Sequence, residues 1–193
     1  GKLKQAYIQT RDCDNWTLQT PSVISLSANS LLLDNTCLQS DNSGKICNRL
    51  EHRDDIWKIG VGVSGLALSM FKRWIPPDLK VEGRGNASAV LEYRAQQQLL
   101  GNIEIDLPPG SASYRISGDH IEYVDYRSAK LEIHLKPTGI KADTELALIN
   151  GDGFKGQIAL PGGNLPGFDS KSQSVQANVH LEANKLSLID LMV

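Results

Sequence analysis

Period-two alternation of apolar and polar residues runs through most of this chain and restricts its fold more than any other feature. From Leu79 to Tyr93 the odd positions read Leu79, Val81, Gly83, Gly85, Ala87, Ala89, Leu91 and Tyr93; from Lys80 to Arg94 the even positions are polar except Val90. Successive side chains of a β-strand point to opposite sides, so this is a strand with one apolar and one wet face. At about 3.3 Å per residue, one uninterrupted strand here would be about 50 Å long.

The pattern returns along the chain. Ile103, Ile105 and Leu107 alternate with Asn102, Glu104 and Asp106; Leu131, Ile133 and Leu135 alternate with Lys130, Glu132, His134 and Lys136. Ile140, Ala142, Thr144, Leu146 and Leu148 oppose Lys141, Asp143 and Glu145; Phe154, Ile158 and Leu160 follow, and Val175, Ala177, Val179 and Leu181 alternate with Gln176, Asn178, His180 and Glu182. Trp16 with Leu18, then Ile24, Leu26 and Ala28, then Trp57, Ile59, Val61 and Val63 carry it earlier. About ten strands are expected, joined as antiparallel hairpins by turn sequences. Those turns are Pro108-Pro109-Gly110, Ser117-Gly118-Asp119, Pro137-Thr138-Gly139, Asn150-Gly151-Asp152-Gly153 and Pro161-Gly162-Gly163. One helix is expected: Ala67, Met70, Phe71 and Trp74 share a face, and Ile75-Pro76-Pro77 ends the run. At about two turns it needs packing to persist, and a core role is expected over an interfacial membrane one. Gly162 to Ser174 is read as a loop inside one domain, 1–193, with 1–14 a partial strand or edge.

Hydrophobic residues are 40% and charged residues 22% of 193, which excludes a disordered polyelectrolyte. Apolar runs such as Leu31-Leu32-Leu33 are too short for a membrane helix. A net charge of −2 with no basic block denser than Lys72-Arg73 argues against nucleic acid.

Cys37 and Cys47 flank the turn sequence Asp41-Asn42-Ser43-Gly44, so a hairpin would bring them close. A disulfide there, worth about 3 kcal/mol, implies an oxidising compartment. The spacing leaves two reduced thiols open, and also a zinc site with Cys13 and His52, which lacks Cys-x-x-Cys pairs.

Several motifs mimic chemistry. Gly60-Val61-Gly62-Val63-Ser64-Gly65 matches a dinucleotide fingerprint, but that site needs a parallel sheet flanked by helices. Small residues that let another backbone approach a strand are the expected reading. Ser69-Met70-Phe71-Lys72 and Ser40-Asp41-Asn42 match serine-enzyme motifs in reversed order without their third element, and His52-Arg53-Asp54 imitates a kinase loop. His52, His120, His134 and His180 have no metal-binding spacing. No catalytic residue, metal or cofactor is expected. The apolar face remains: long one-sided strands can form a curled sheet whose apolar side lines a trough for an acyl chain or a strand of another protein. A packed β-sandwich is the alternative.

Asn35-Thr36-Cys37-Leu38, Ile46-Cys47, the short helix and Trp74-Ile75-Pro76-Pro77-Asp78-Leu79-Lys80-Val81-Glu82-Gly83 together resemble the TamB family, related to AsmA-like proteins. Gly101 to Gly110 and the closing Leu186-Ser187-Leu188-Ile189-Asp190-Leu191 add to the resemblance, which spans Trp16 to Val193. It implies an all-β fold: long antiparallel strands in one curled, elongated sheet, taco-like, with an apolar interior. The segment is expected near the C-terminal part of the family's long groove. The full-length protein would span the Gram-negative periplasm from an inner-membrane helix absent here, and the region reaching TamA would also lie outside this chain. The resemblance implies outer-membrane biogenesis: assembly of outer-membrane proteins such as autotransporters with TamA, and phospholipid transport between the membranes. It pairs Cys37 with Cys47, finds no counterpart for Cys13, and assigns no enzyme activity. By the same resemblance the groove is lined by Leu79, Val81, Leu91, Tyr93, Ile103, Ile105, Leu107, Ile121, Leu131, Ile133, Leu135, Leu146, Leu148, Ile158, Leu160, Val175, Val179 and Leu181. A packed structural spacer is the alternative use of the same strands.

Overall fold

Fifteen strands form one antiparallel sheet in the computed structural model, which describes residues 1–10, 13–42, 44–73, 75–94, 99–117, 120–161 and 176–182. They are β1 (Lys2–Leu3), β2 (Tyr7–Thr10), β3 (Cys13–Leu18), β4 (Ser22–Leu26), β5 (Ser30–Ser40), β6 (Gly44–Arg53), β7 (Ile56–Ala67) and β8 (Leu79–Glu82). The rest are β9 (Arg84–Arg94), β10 (Leu99–Leu107), β11 (Gly110–Ser117), β12 (His120–Lys136), β13 (Gly139–Leu148), β14 (Gly153–Pro161) and β15 (Gln176–Glu182). The main path runs β1-β4-β5-β6-β7-β9-β10-β12-β13-β14-β15. At about 4.8 Å per ladder step, these strands cover about 48 Å. The sheet is not closed into a barrel.

The expected uninterrupted strand from Leu79 to Tyr93 is cut in two at Gly83, whose φ of 125° breaks the extended backbone. The alternation survives the break, but the ladder partners change: β8 pairs with β11, whereas β9 pairs with β7 and β10. The longest strand is instead β12, with 17 residues. Along one side it carries two partners end to end, β11 beside His120 to Tyr126 and β10 beside Ala129 to Leu135. Pro108-Pro109 therefore joins two strands lying in line on β12, not a hairpin. Pro137-Thr138 does close a hairpin, with Lys136 opposite Gly139, as do the turns at Asp41 and Asn150.

The expected two-turn helix is also corrected. β7 extends through Ala67, and only a 3-10 turn, Leu68–Phe71, follows it, with none of its residues buried. The strand takes the residues that would have begun the helix. Leu68 still packs inward: its amide donates to the Gly83 carbonyl at 3.1 Å, and its methyls stand 3.4 and 3.9 Å from where Cβ atoms on Gly85 and Gly83 would lie. Trp74 and the loop expected from Gly162 to Ser174 lie outside the described residues.

Candidate binding face

Cross-strand register sorts the side chains into two faces. One row on the apolar side reads Leu33, Leu50, Ile59, Leu91, Gly101, Leu135, Ile140, Leu160 across eight strands. A parallel row reads Leu38, Ile46, Val63, Ala87, Ile105, Leu131, Thr144, Gly156, Val179. Between them lie Thr36, Asn48, Val61, Ala89, Ile103, Ile133, Ala142, Ile158 and Ala177. At the strand ends His52 stacks on Trp57, ring centroids 4.2 Å apart, next to Tyr93.

These side chains are neither packed nor fully wet. Leu33, Leu38, Ile59, Leu91, Ile103, Ile105, Leu131 and Ile133 are all half-buried. Ile158, Val179 and Leu181 are exposed. In a sandwich, side chains from two inner faces interdigitate and large aliphatics in such positions are buried. Only Trp16, Tyr126, Leu135 and Leu148 on this face reach that state among the described residues. Small residues are not uniformly gaps. Gly85 is filled from above by Leu107, whose methyl lies 2.8 Å from the would-be Cβ. Gly101, at φ 143°, would drive a Cβ onto the Val90 carbonyl.

The opposite face is an ion-pair mesh. Lys130 lies 2.6 Å from Glu132 and 3.1 Å from Glu104. Lys141 meets Asp143 at 3.0 Å, and Lys155 meets Glu145 at 3.2 Å. Gln157 donates to Asp143 at 2.8 Å, and a nitrogen of His134 lies 2.8 Å from the Asn102 amide oxygen. The ammonium of Lys130 holds the Glu132 carboxyl below the usual range, and the Gln157 hydrogen bond, followed by Lys141, does the same for Asp143. Glu132 and Glu104 in turn raise Lys130. This face carries the Cys37–Cys47 disulfide, a direct cross-strand pair with Cα atoms 4.0 Å apart. That bond occupies both sulfurs, so the zinc alternative fails. Cys13 begins β3, away from this pair in the ladder.

Of the residues expected to line a groove, Val175 lies outside the described residues. Ile121 falls on the ion-paired face, because it stands opposite Arg115 between Glu122 and His120 on the other side. The remaining ones share the apolar face. The expected groove lining omits the N-terminal half of that face: Leu31, Leu33, Leu38, Ile46 and Leu50, together with Ile59 and Val61, whose alternation the sequence does show. A bulge at Asp34 and Asn35, with Asn35 at φ 51°, hides the alternation of β5. In β6 the signal was legible, since Ile46, Asn48, Leu50 and His52 alternate with Cys47, Arg49, Glu51 and Arg53.

The three glycines of the fingerprint look-alike have separate roles. Gly60 and Gly62 sit inside β7, and Gly65 (φ 61°) forms the bulge where β7 changes register with β9. No backbone closes on Gly62: nothing lies within 4 Å of its would-be Cβ.

Fold and faces together define a class: an all-β protein whose single open sheet is apolar on one side, ion-paired on the other, and half-buried without a second layer among the described residues. The family model described as TamB, N-terminal domain, matches residues 1–193. The chain belongs to the TamB family. That match places it in the N-terminal domain, not near the C-terminal part as the resemblance suggested. The family acts in the translocation and assembly module, spans the periplasm, works with TamA, and is structural or transporting rather than enzymatic. No curated protein and no solved structure matches the chain. Among the described residues no helix is long and apolar enough to cross a membrane.

Proposed function

We propose that this chain is a groove segment that shields apolar cargo between the membranes, with phospholipid acyl chains as the cargo its surface suits best. The observation that carries the reading is the apolar face itself, continuous across eight or more strands and left half-buried. Each buried CH₂ of a chain laid on such a face gains about 0.8 kcal/mol, with no chemistry required. The full-length protein would sit in the periplasm, anchored in the inner membrane by an N-terminal helix, and would use the same face in outer-membrane protein and autotransporter assembly with TamA. A second reading, capture of an unfolded outer-membrane strand, is favoured by β8, which has one ladder partner, β11, among the described residues.

The test is direct. Protein purified from the periplasm is extracted with organic solvent and assayed for phospholipid, beside Leu91→Asp and Ile133→Lys. Both side chains are half-buried, so a charge there reaches water. Lipid in the native extract and none in the variants, with unchanged circular dichroism, is the expected result. Lipid-free native protein that takes up none from vesicles refutes the lipid reading. Unfolding of both variants favours a packed spacer. Crosslinks from Leu91 to a substrate protein in cells would select strand capture.

A further inference from the structure

The geometry points to Cys47 as a site of thiol–disulfide exchange, attacked by a dithiol reductant that approaches over β7. A thiolate displaces one sulfur of a disulfide from the side opposite the leaving sulfur. The Cys37–Cys47 bond runs across the ladder from β5 to β6, so its extension beyond Cys47 passes over the next strand. The residue directly opposite Cys47 on that strand is Gly62. Nothing stands within 4 Å of a Cβ placed there, and the diagonal neighbour is Gly60, whose nearest atom is the Arg49 Cβ at 3.8 Å. The two glycines floor a depression of about 540 Å³ that Cys47 lines. Cys37 is different: it is 6% exposed and does not line that depression. Any side chain in place of Gly62 would stand in the line of attack, so this pair of glycines turns a structural cross-link into an addressable one.

The step balances. A thiolate of the reductant bonds to Cys47 Sγ, and Cys37 Sγ leaves with the electron pair of the S–S bond and takes a proton from water. The second thiolate of the reductant then attacks its own sulfur of the mixed disulfide and releases Cys47 as a thiolate. The protein gains two electrons and the dithiol becomes a disulfide. Exchange at Cys47 takes place on the ion-paired face and needs no cargo on the apolar one.

Glutathione serves as the probe, since a monothiol carries no second thiol to resolve the mixed disulfide within the reductant, and alkylation of the freed Cys37 traps the adduct. Oxidised protein in a Cys13→Ser background is treated briefly, alkylated with iodoacetamide and mapped by mass spectrometry. The expected product carries glutathione on Cys47 and alkylation on Cys37; glutathione on Cys37, or equally on both, overturns the assignment. Gly62→Val, which meets open space, is expected to keep the fold and slow exchange about tenfold or more. An unchanged rate in folded Gly62→Val overturns the approach path. Gly62→Ala provides the same comparison should valine disturb the strand.

Discussion

The hydroxyl of Tyr126 occupies the space that a side chain on Gly110 would need: a Cβ there would lie 2.3 Å from Tyr126 Oη and 2.7 Å from the Glu82 carbonyl oxygen. Tyr126 is 4% exposed and its hydroxyl donates to that same carbonyl at 3.3 Å. One phenol thus ties β8, β11 and β12 together where the sheet forks. Gly110→Ala is expected to cost about 1–3 kcal/mol by overpacking. Tyr126→Phe keeps the ring and loses the hydrogen bond, at about 0.5–1.5 kcal/mol. Urea titration of both variants checks the order.

Leu148 and Ile158 share the apolar face but differ in cover, 4% against 47% exposed. Leu148→Ala is expected to cost about 2–5 kcal/mol, as a core truncation does. Ile158→Ala should cost less than half of that, because its methyls already meet water in the folded state. Equal losses in urea denaturation would mean the face is covered more evenly than its exposures imply.

The Cys37–Cys47 bond closes a loop with a sequence separation of 10. Cys37→Ser with Cys47→Ser is expected to lower stability by about 3 kcal/mol through the freed unfolded chain. The measurement compares denaturation midpoints of the double variant and of the native protein under oxidising conditions. Thiol counting with a chromogenic reagent should find fewer reactive thiols before reduction than after it.

Acid should loosen the ion-paired face. Glu132 and Asp143 are held below their unfolded values, so their contribution is full above the ordinary carboxylate range and is lost as pH falls through their lowered folded values. Lys130 is raised, so its contribution is full below the ordinary lysine value and fades only as pH climbs through the raised one. The groups are exposed, which keeps the effect modest and salt-sensitive. The urea midpoint should therefore drop as pH falls below about 5, less steeply in Lys130→Gln and in high salt.

Much of this fold was legible because a sheet repeats every second residue. Ile103, Ile105, Leu131 and Ile133 declare their common face in the sequence, and the turn at Asp41 puts Cys37 opposite Cys47. Connectivity was less legible, since alternation continues through a break that only changes partners: nothing local distinguishes Gly83, where the strand ends, from Gly85, where it does not. Ile121 was misassigned to the apolar side because its greasiness was read without its register, which the β11 ladder sets. The helix was over-read because Met70 and Phe71 suit a helical face as readily as a turn after a long strand. Whether the apolar face would be covered could not be read from a strand pattern, because a sandwich and an open sheet share the same alternation.

β1 and β15 lie at opposite ends of the main path. Tension applied between those two margins would part the strands like a zipper, one hydrogen-bonded ladder after another, and not shear them all at once. Such a sheet yields in small increments under load. Between β5 and β6 the covalent staple stops that progress, so unravelling from the β1 side would halt there while the sulfurs remain joined.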